Sequence, residues 1–383
     1  MTTRAQLERL LGWNLLIPPC DGQTVYLDGL PLDAGSVWAD MRDERIVTTA
    51  READLRVYWN HSPPVDPGQG GWVAVGQGAA RVPTAKAYAL IPPSDPRLVL
   101  PLGNQKQLLR GLKMHRPGRK VARMAVWLLT LSVRLGMVWP LTRRVLWIDI
   151  ANNRKLPTAI ADSILYLGTA DNNRKTTILP PDDNRLLKHG IGALPIASLS
   201  READALSFMG KTNLAGQVPQ LINFSRESQF AVLTQEYRDP MPSDRKEYEQ
   251  NVVKFLKDLS EIGAETRDGI FGHRCHGDFA PWNMMNTTNG FFVFDWEDSL
   301  EWAPALTDAF HFATAQYFHL GKEMNLDSLV EHALGFASKI GRLQGIDPKN
   351  IRPLWRRWLE NRVIEKPSQR ADALLQAEKG TLI

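Results

Sequence analysis

His276-Gly277-Asp278-Phe279-Ala280-Pro281-Trp282-Asn283, followed shortly by Phe291-Phe292-Val293-Phe294-Asp295-Trp296-Glu297, decides how this chain is read. Asp278 and Asn283 stand five residues apart, and a short apolar run then delivers Asp295. These residue types at these intervals supply the polar groups that phosphoryl transfer from a nucleotide requires. One carboxylate can face an acceptor hydroxyl. An amide oxygen and a second carboxylate can converge on Mg²⁺, a hard cation that prefers oxygen ligands. Each piece is ordinary alone, since Asp after an apolar run is a common turn residue. Together they are specific, because a loop of fixed internal spacing and a metal-type Asp must coincide.

Upstream of the loop, Arg245–Ile262 predicts an amphipathic helix with Tyr248, Val252, Phe255, Leu256 and Leu259 on one stripe. Val218–Phe224 and Gln229–Tyr237 predict a hairpin running into a linker. Ser198–Leu206 starts a helix well: Ser198 or Ser200 can cap it, and Glu202 suits the positive end of the helix dipole. Asn184–Lys188 is extended and ends in a lysine. Ser163–Leu167 and Thr176–Leu179 predict two strands around a turn, Gly168 to Lys175, that could lie over phosphates.

The N-terminal part differs. Residues 1–100 are rich in Pro and Gly turn signals, with short apolar runs at Thr24–Leu27 and Trp72–Val75, and no catalytic motif emerges there. Residues 104–148 carry a basic, Leu-containing stretch, then an apolar run from Met124 to Val133, and Trp127, Trp139 and Trp147. That run is too short to span a bilayer, which needs about 20 residues. Its two readings are a helix lying in a membrane interface and a buried helix with basic ends, and burial is the expectation.

Composition sets the remaining bounds. At 383 residues, with 43% hydrophobic and 23% charged residues, the chain is long enough for two or three globular domains. Its formal charge of +4 is unevenly placed, with twelve Lys or Arg and one acid between Lys106 and Lys155. That asymmetry points to an anionic surface near one segment and not to a nucleic-acid binder. The two cysteines, Cys20 and Cys275, make neither a disulfide framework nor a zinc site. Cys275 is expected to be a small buried residue. With no secretory signal in MTTRAQLERLLGWNLLIPP, a cytoplasmic setting is expected, at most at the inner face of the membrane.

The ordered set resembles the aminoglycoside phosphotransferase and choline kinase family, a small-molecule branch of the protein-kinase-like fold. Asp278 and Asn283 keep the interval of the H-R-D-L-x-x-x-N loop, and Asp295 stands where Asp-Phe-Gly places its metal-binding Asp. Pro304-Ala305-Leu306-Thr307-Asp308-Ala309-Phe310-His311 resembles the family's segment after that Asp, where an Asp secures the C-lobe. The likeness covers roughly residues 160–320. Two features depart from it, the single glycine of the 168–175 turn and the long N-terminal region.

The resemblance implies an α+β, two-lobed protein-kinase-like fold with a small antiparallel-sheet N-lobe, a mostly helical C-lobe and an additional N-terminal α/β region. The expected boundaries are 1–103, a basic connecting segment at 104–159, the N-lobe at 160–238 and the C-lobe at 239–383. It further implies that Asp278 takes the acceptor proton, that His276 braces the loop, and that Asn283 and Asp295 hold Mg²⁺. Lys188 would contact the nucleotide phosphates and be held by Glu202. Gly168, Thr169 and Lys175 would cover the phosphates, while backbone groups at Gln235, Glu236 and Tyr237 would read the base. Glu297 either assists a second metal or ends the strand. The expected donor is ATP, with GTP open as well, and the acceptor a hydroxyl of a small molecule such as a sugar, glycan or glycolipid. A phosphotransferase of the aminoglycoside type and a non-catalytic nucleotide-binding module are the alternatives. Peripheral membrane contact through 104–148 is the one macromolecular contact considered; neither a protein partner nor nucleic acid is implied.

Overall fold

The computed structural model describes residues 24–28, 45–47, 49, 53–59, 71–77, 85–92, 96–114, 120–149, 162–167, 173–181, 183–242, 244–320, 325–365 and 368–380. The chain divides into two compact units, Met1–Leu199 with Ile222–Tyr237, and Ser200–Leu221 with Arg238–Ile383. The first is rich in sheet and the second mostly helical, so the expected α+β class is observed.

The first unit is organised on a twelve-stranded sheet. Its N-terminal strands, β1 (Thr24–Asp28), β2 (Arg45–Ile46), β3 (Leu55–Trp59) and β4 (Gly71–Gly76), run parallel. Antiparallel pairing begins with β5 (Ala85–Ile91), β6 (Leu98–Pro101) and β7 (Val145–Asp149). It continues through β8 (Ile164–Tyr166), β9 (Lys175–Leu179), β10 (Arg185–Ile191), β11 (Leu221–Arg226) and β12 (Phe230–Glu236). Because β6 pairs with β8, hydrogen bonding runs unbroken across the boundary expected near residue 160.

Helices α1 (Gln105–Met114) and α2 (Lys120–Arg134) pack on this sheet. Leu108 and Leu112 of α1, Val133 of α2, and Leu98 and Leu100 of β6 share one buried cluster, with Val126 and Leu129 packed against it. The spacing of Val126, Leu129 and Val133 puts them on a single inward stripe. The expectation that 104–148 is a buried helix therefore holds for that stripe only. The segment is two helices and a strand, Trp147 is buried in β7, and Trp127 and Trp139 are exposed at 62% and 69%.

Helix α3 (Ala193–Met209) begins earlier than the sequence suggests. Gly192, at φ +92°, turns the chain out of β10, and its carbonyl accepts from Ile196 N at 3.1 Å. Pro195 is tolerated because first-turn N–H groups have no intrahelical acceptor. Ser198 is consequently inside the helix and not its cap; its hydroxyl accepts from Lys175 Nζ at 2.9 Å.

In the second unit, α4 (Arg245–Leu259) buries Val252, Phe255, Leu256 and Leu259 of the stripe read from the sequence, while Tyr248 is half-buried. Strands β13 (Glu265–Arg267), β14 (Ile270–Cys275) and β17 (Leu300–Pro304) form one sheet, while β15 (Met284–Thr287) and β16 (Gly290–Val293) form a hairpin. The chain beyond Asp295 is thus not helical at once, since β17 pairs back on β14 first. Helices α5 (Thr307–Leu320), α6 (Leu326–Leu343), α7 (Pro348–Glu365) and α8 (Gln369–Gly380) follow. Phe310 of α5 packs edge-on to Trp355 of α7 at 5.3 Å, which explains the tryptophans near the C-terminus as core.

Candidate active site

The loop between β14 and β15 is fixed from both sides. Asp308, at the start of α5, is buried, and its carboxylate accepts from His276 N at 2.7 Å and Gly277 N at 3.0 Å. A carboxylate receiving two backbone N–H groups holds a loop strongly. The His276 ring is buried, with Nε2 2.9 Å from Phe294 O and the ring 4.7 Å from Trp296. His276 therefore ties the loop to the segment that delivers Asp295. Gly277 sits at φ +83°, and a Cβ there would meet Asp298 O at 2.0 Å. Only glycine fits.

Asp278 is held at both carboxylate oxygens. Asn283 Nδ2 donates to Oδ2 at 2.8 Å and to the Asp278 carbonyl at 2.9 Å, while His311 Nε2 lies 2.9 Å from Oδ1. The five-residue interval is what lets a short 3₁₀ turn, Pro281–Asn283, bring the amide back to the carboxylate. Each carboxylate oxygen has a second lone pair, so both bonds can stand while an acceptor hydroxyl is received. His311 went unassigned in the sequence reading. The signal was its place three residues after Asp308, the helical spacing that puts both side chains on the side facing the loop.

Asp295 adopts the left-handed conformation, φ 70° and ψ 59°. Asp tolerates this region better than most residues, and strain of this kind gathers at functional sites. Trp296, buried, donates from Nε1 to Val293 O at 3.0 Å and locks the turn that follows. One carboxylate oxygen from each of Glu202, Asp295 and Glu297 lies within 4.8 Å of the others. Glu202 is fully buried on α3, and the neighbouring Arg201 donates to Glu297 O at 3.1 Å. Oxygen donors from acidic groups are the set that Mg²⁺ takes, so these three carboxylates fit the cation. Asn283 is compatible too: its amide nitrogen is spent on Asp278, which leaves Oδ1 as the acceptor atom. Glu297 lies in the short turn Trp296–Asp298 just after Asp295, with one carboxylate oxygen near that residue's.

The residues expected on the nucleotide side belong to the first unit. Lys188 is buried in β10, in register with Thr177 of β9 and Leu233 of β12. Lys175 opens β9 and is tied to Ser198. Gln235 is buried with Oε1 lacking a hydrogen-bond partner, and Glu236 pairs with Arg185 across the β10–β12 ladder. Tyr237 N is taken by Asn184 O at 2.6 Å, so that donor is not available to a base. Gly168 and Thr169 lie outside the described residues, as does Cys20. Cys275 is fully buried, and burial pushes its thiol well above the ordinary range, the inert state expected of it.

No family model and no curated protein matches the chain. Solved structures with a similar arrangement include aminoglycoside phosphotransferase APH(3″)-Id from Streptomyces rimosus ATCC10970, at 11% identity and a TM-score of 0.38, covering 66% of this chain and 98% of that one. The streptomycin–ATP ternary complex of APH(2″)-IIa matches at 14% identity and a TM-score of 0.37, covering 51% and 82%. The amicoumacin kinase hAmiN, solved with AMP-PNP, Ca²⁺ and Ami, matches at 8% identity and a TM-score of 0.35, covering 57% and 87%.

Proposed function

We propose that this chain is a Mg²⁺-dependent phosphotransferase that moves the γ-phosphoryl group of ATP to a hydroxyl of a small molecule. The observation that carries this reading is the second unit's own site. Asp278 is fixed by Asn283 and His311, and the same loop is braced by His276 to the strand leading to Asp295, whose carboxylate joins those of Glu202 and Glu297. Asp278 receives the acceptor hydroxyl and takes its proton as transfer proceeds. Asn283 and Asp295, with Glu202 or Glu297 beside them, would hold Mg²⁺, which would offset charge on the phosphate oxygens. Lys188 and Lys175 would contact the nucleotide phosphates. Transfer of this kind is mainly positioning and charge stabilisation, so few side chains carry most of the effect.

The acceptor is a sugar, glycan or glycolipid. A lipid-linked acceptor agrees with the basic, tryptophan-bearing segment at 104–148, which would bring the chain to a membrane surface.

The test is incubation with Mg²⁺, γ-labelled ATP and extract from the source cells, with aqueous and lipid fractions counted separately. Asp278→Ala is expected to lose about 10²–10⁴-fold in labelling, the scale of general-base assistance, while nucleotide binding survives. Asp295→Ala should instead weaken Mg²⁺-nucleotide binding in calorimetry. Near-normal turnover by Asp278→Ala would remove the carboxylate from the role given to it here. Label in the lipid fraction supports a lipid-linked acceptor, and label confined to the aqueous fraction supports a soluble one.

A further inference from the structure

Helix α2 is apolar on two sides, and among the described residues only one of them is packed. Opposite the buried stripe, Val121, Met124, Leu128, Leu131 and Leu135 follow at three- and four-residue spacing and are 74%, 59%, 51%, 40% and 65% exposed. Trp127 adjoins this stripe, and exposed Met137 and Trp139 extend it past the helix end. Exposed Arg123 stands one helical turn before Trp127, and exposed Arg134 and Arg143 continue the positive charge along the segment. No acidic residue occurs between Asp95 and Asp149.

A surface helix is normally polar on its outer side, and an uncovered apolar stripe of this size marks an interaction surface. We infer that this face docks on an anionic lipid surface, with the apolar stripe entering the headgroup boundary and Arg123, Arg134 and Arg143 at the lipid charges. Three observations select that occupant. Tryptophan beside basic residues suits the interface between water and hydrocarbon, where an amphipathic ring can sit half-wet. A second copy would bring like charges together with no acid on the face to offset them. Among the described residues no helix is long and apolar enough to cross a membrane, so contact would be along the surface. This inference does not depend on the phosphotransferase reading, because no residue of α2 has a part in the proposed transfer.

The experiment is flotation of the full chain with vesicles of phosphatidylcholine alone and of phosphatidylcholine with phosphatidylserine. Wild type is expected to float with the anionic vesicles, poorly with the neutral ones, and less as salt rises. Arg123→Ala with Arg134→Ala should weaken binding roughly 30-fold, from the contribution of each basic group near an anionic surface. Met124→Glu with Leu128→Glu should abolish it, with Trp127→Ser as the milder substitute if circular dichroism shows that pair misfolded. Failure of wild type to float overturns the inference. So does unchanged flotation of the folded stripe variants. A dimer in light scattering that the stripe variants dissolve, without flotation, overturns it in favour of a second copy.

Discussion

The loop at 276–283 and helix α2 are built in opposite ways. In the loop, polar groups are largely held internally: two backbone N–H groups end on Asp308, His276 Nε2 on Phe294 O, and Asp278 Oδ2 on Asn283, with Oδ1 2.9 Å from His311 Nε2. In α2, apolar groups are left over, with Met124, Trp127 and Leu128 each more than half exposed. If Asp278 is the reacting carboxylate, as proposed, it must be held in one place, and its surroundings hold it so. A docking surface must be available, so the fold leaves it uncovered. The two segments therefore answer differently to substitution, and that difference can be measured.

The largest effect is expected at Gly277. Its positive φ and the approach of Asp298 O leave no room for a methyl group, and the loop cannot shift without releasing Asp308. Gly277→Ala is expected to cost about 3 kcal/mol of stability, at the upper end of what a strained backbone position carries. Urea denaturation measures it. A loss below about 0.5 kcal/mol, typical of an ordinary surface change, would show that the loop is looser than its bonds imply.

Next comes His311, which touches Asp278 and, under the proposed function, would act through it as a positioning residue. His311→Ala should lower kcat about tenfold or more, as misplacement of a reacting group does, with the KM for Mg²⁺-nucleotide unchanged. His311→Gln, whose amide can donate to the same oxygen, should recover part of the loss. An effect confined to KM, or no recovery with Gln, would make His311 merely a packing residue.

His311 also marks how far the sequence could be read. The contact between Asp278 and Asn283 is legible because a five-residue interval closes it locally, with no help from the rest of the fold. Asp308 was legible from its segment, and the structural place expected for it is the one observed. His311 and the grouping of Glu202 with Asp295 and Glu297 depend on where α5 and α3 lie against the loop, which no short interval encodes. The start of α3 was misplaced for a related reason: Pro195 reads as a break in the sequence but is accommodated in the first turn. Continuity of the sheet from β6 into β8 was equally hidden, since strand pairing between distant segments leaves no periodic trace.

The smallest effect is the one that separates the two faces of α2. Period alone could not choose between burial and exposure, because apolar residues recur on both sides of the helix. Substitution can choose. Val133 is fully buried, so Val133→Ala should cost about 2–3 kcal/mol through lost apolar contact and the cavity left behind. Leu128→Gln keeps helix propensity and removes an exposed side chain, so it should stay within about 0.5 kcal/mol of wild type. Equal losses at the two positions would mean that the outer stripe is packed after all, and the contrast with the loop at 276–283 would vanish. If Leu128→Gln is neutral for folding, the leucine gives the isolated chain nothing. Its presence beside Trp127 and Arg123 is then accounted for by what that face touches outside the fold.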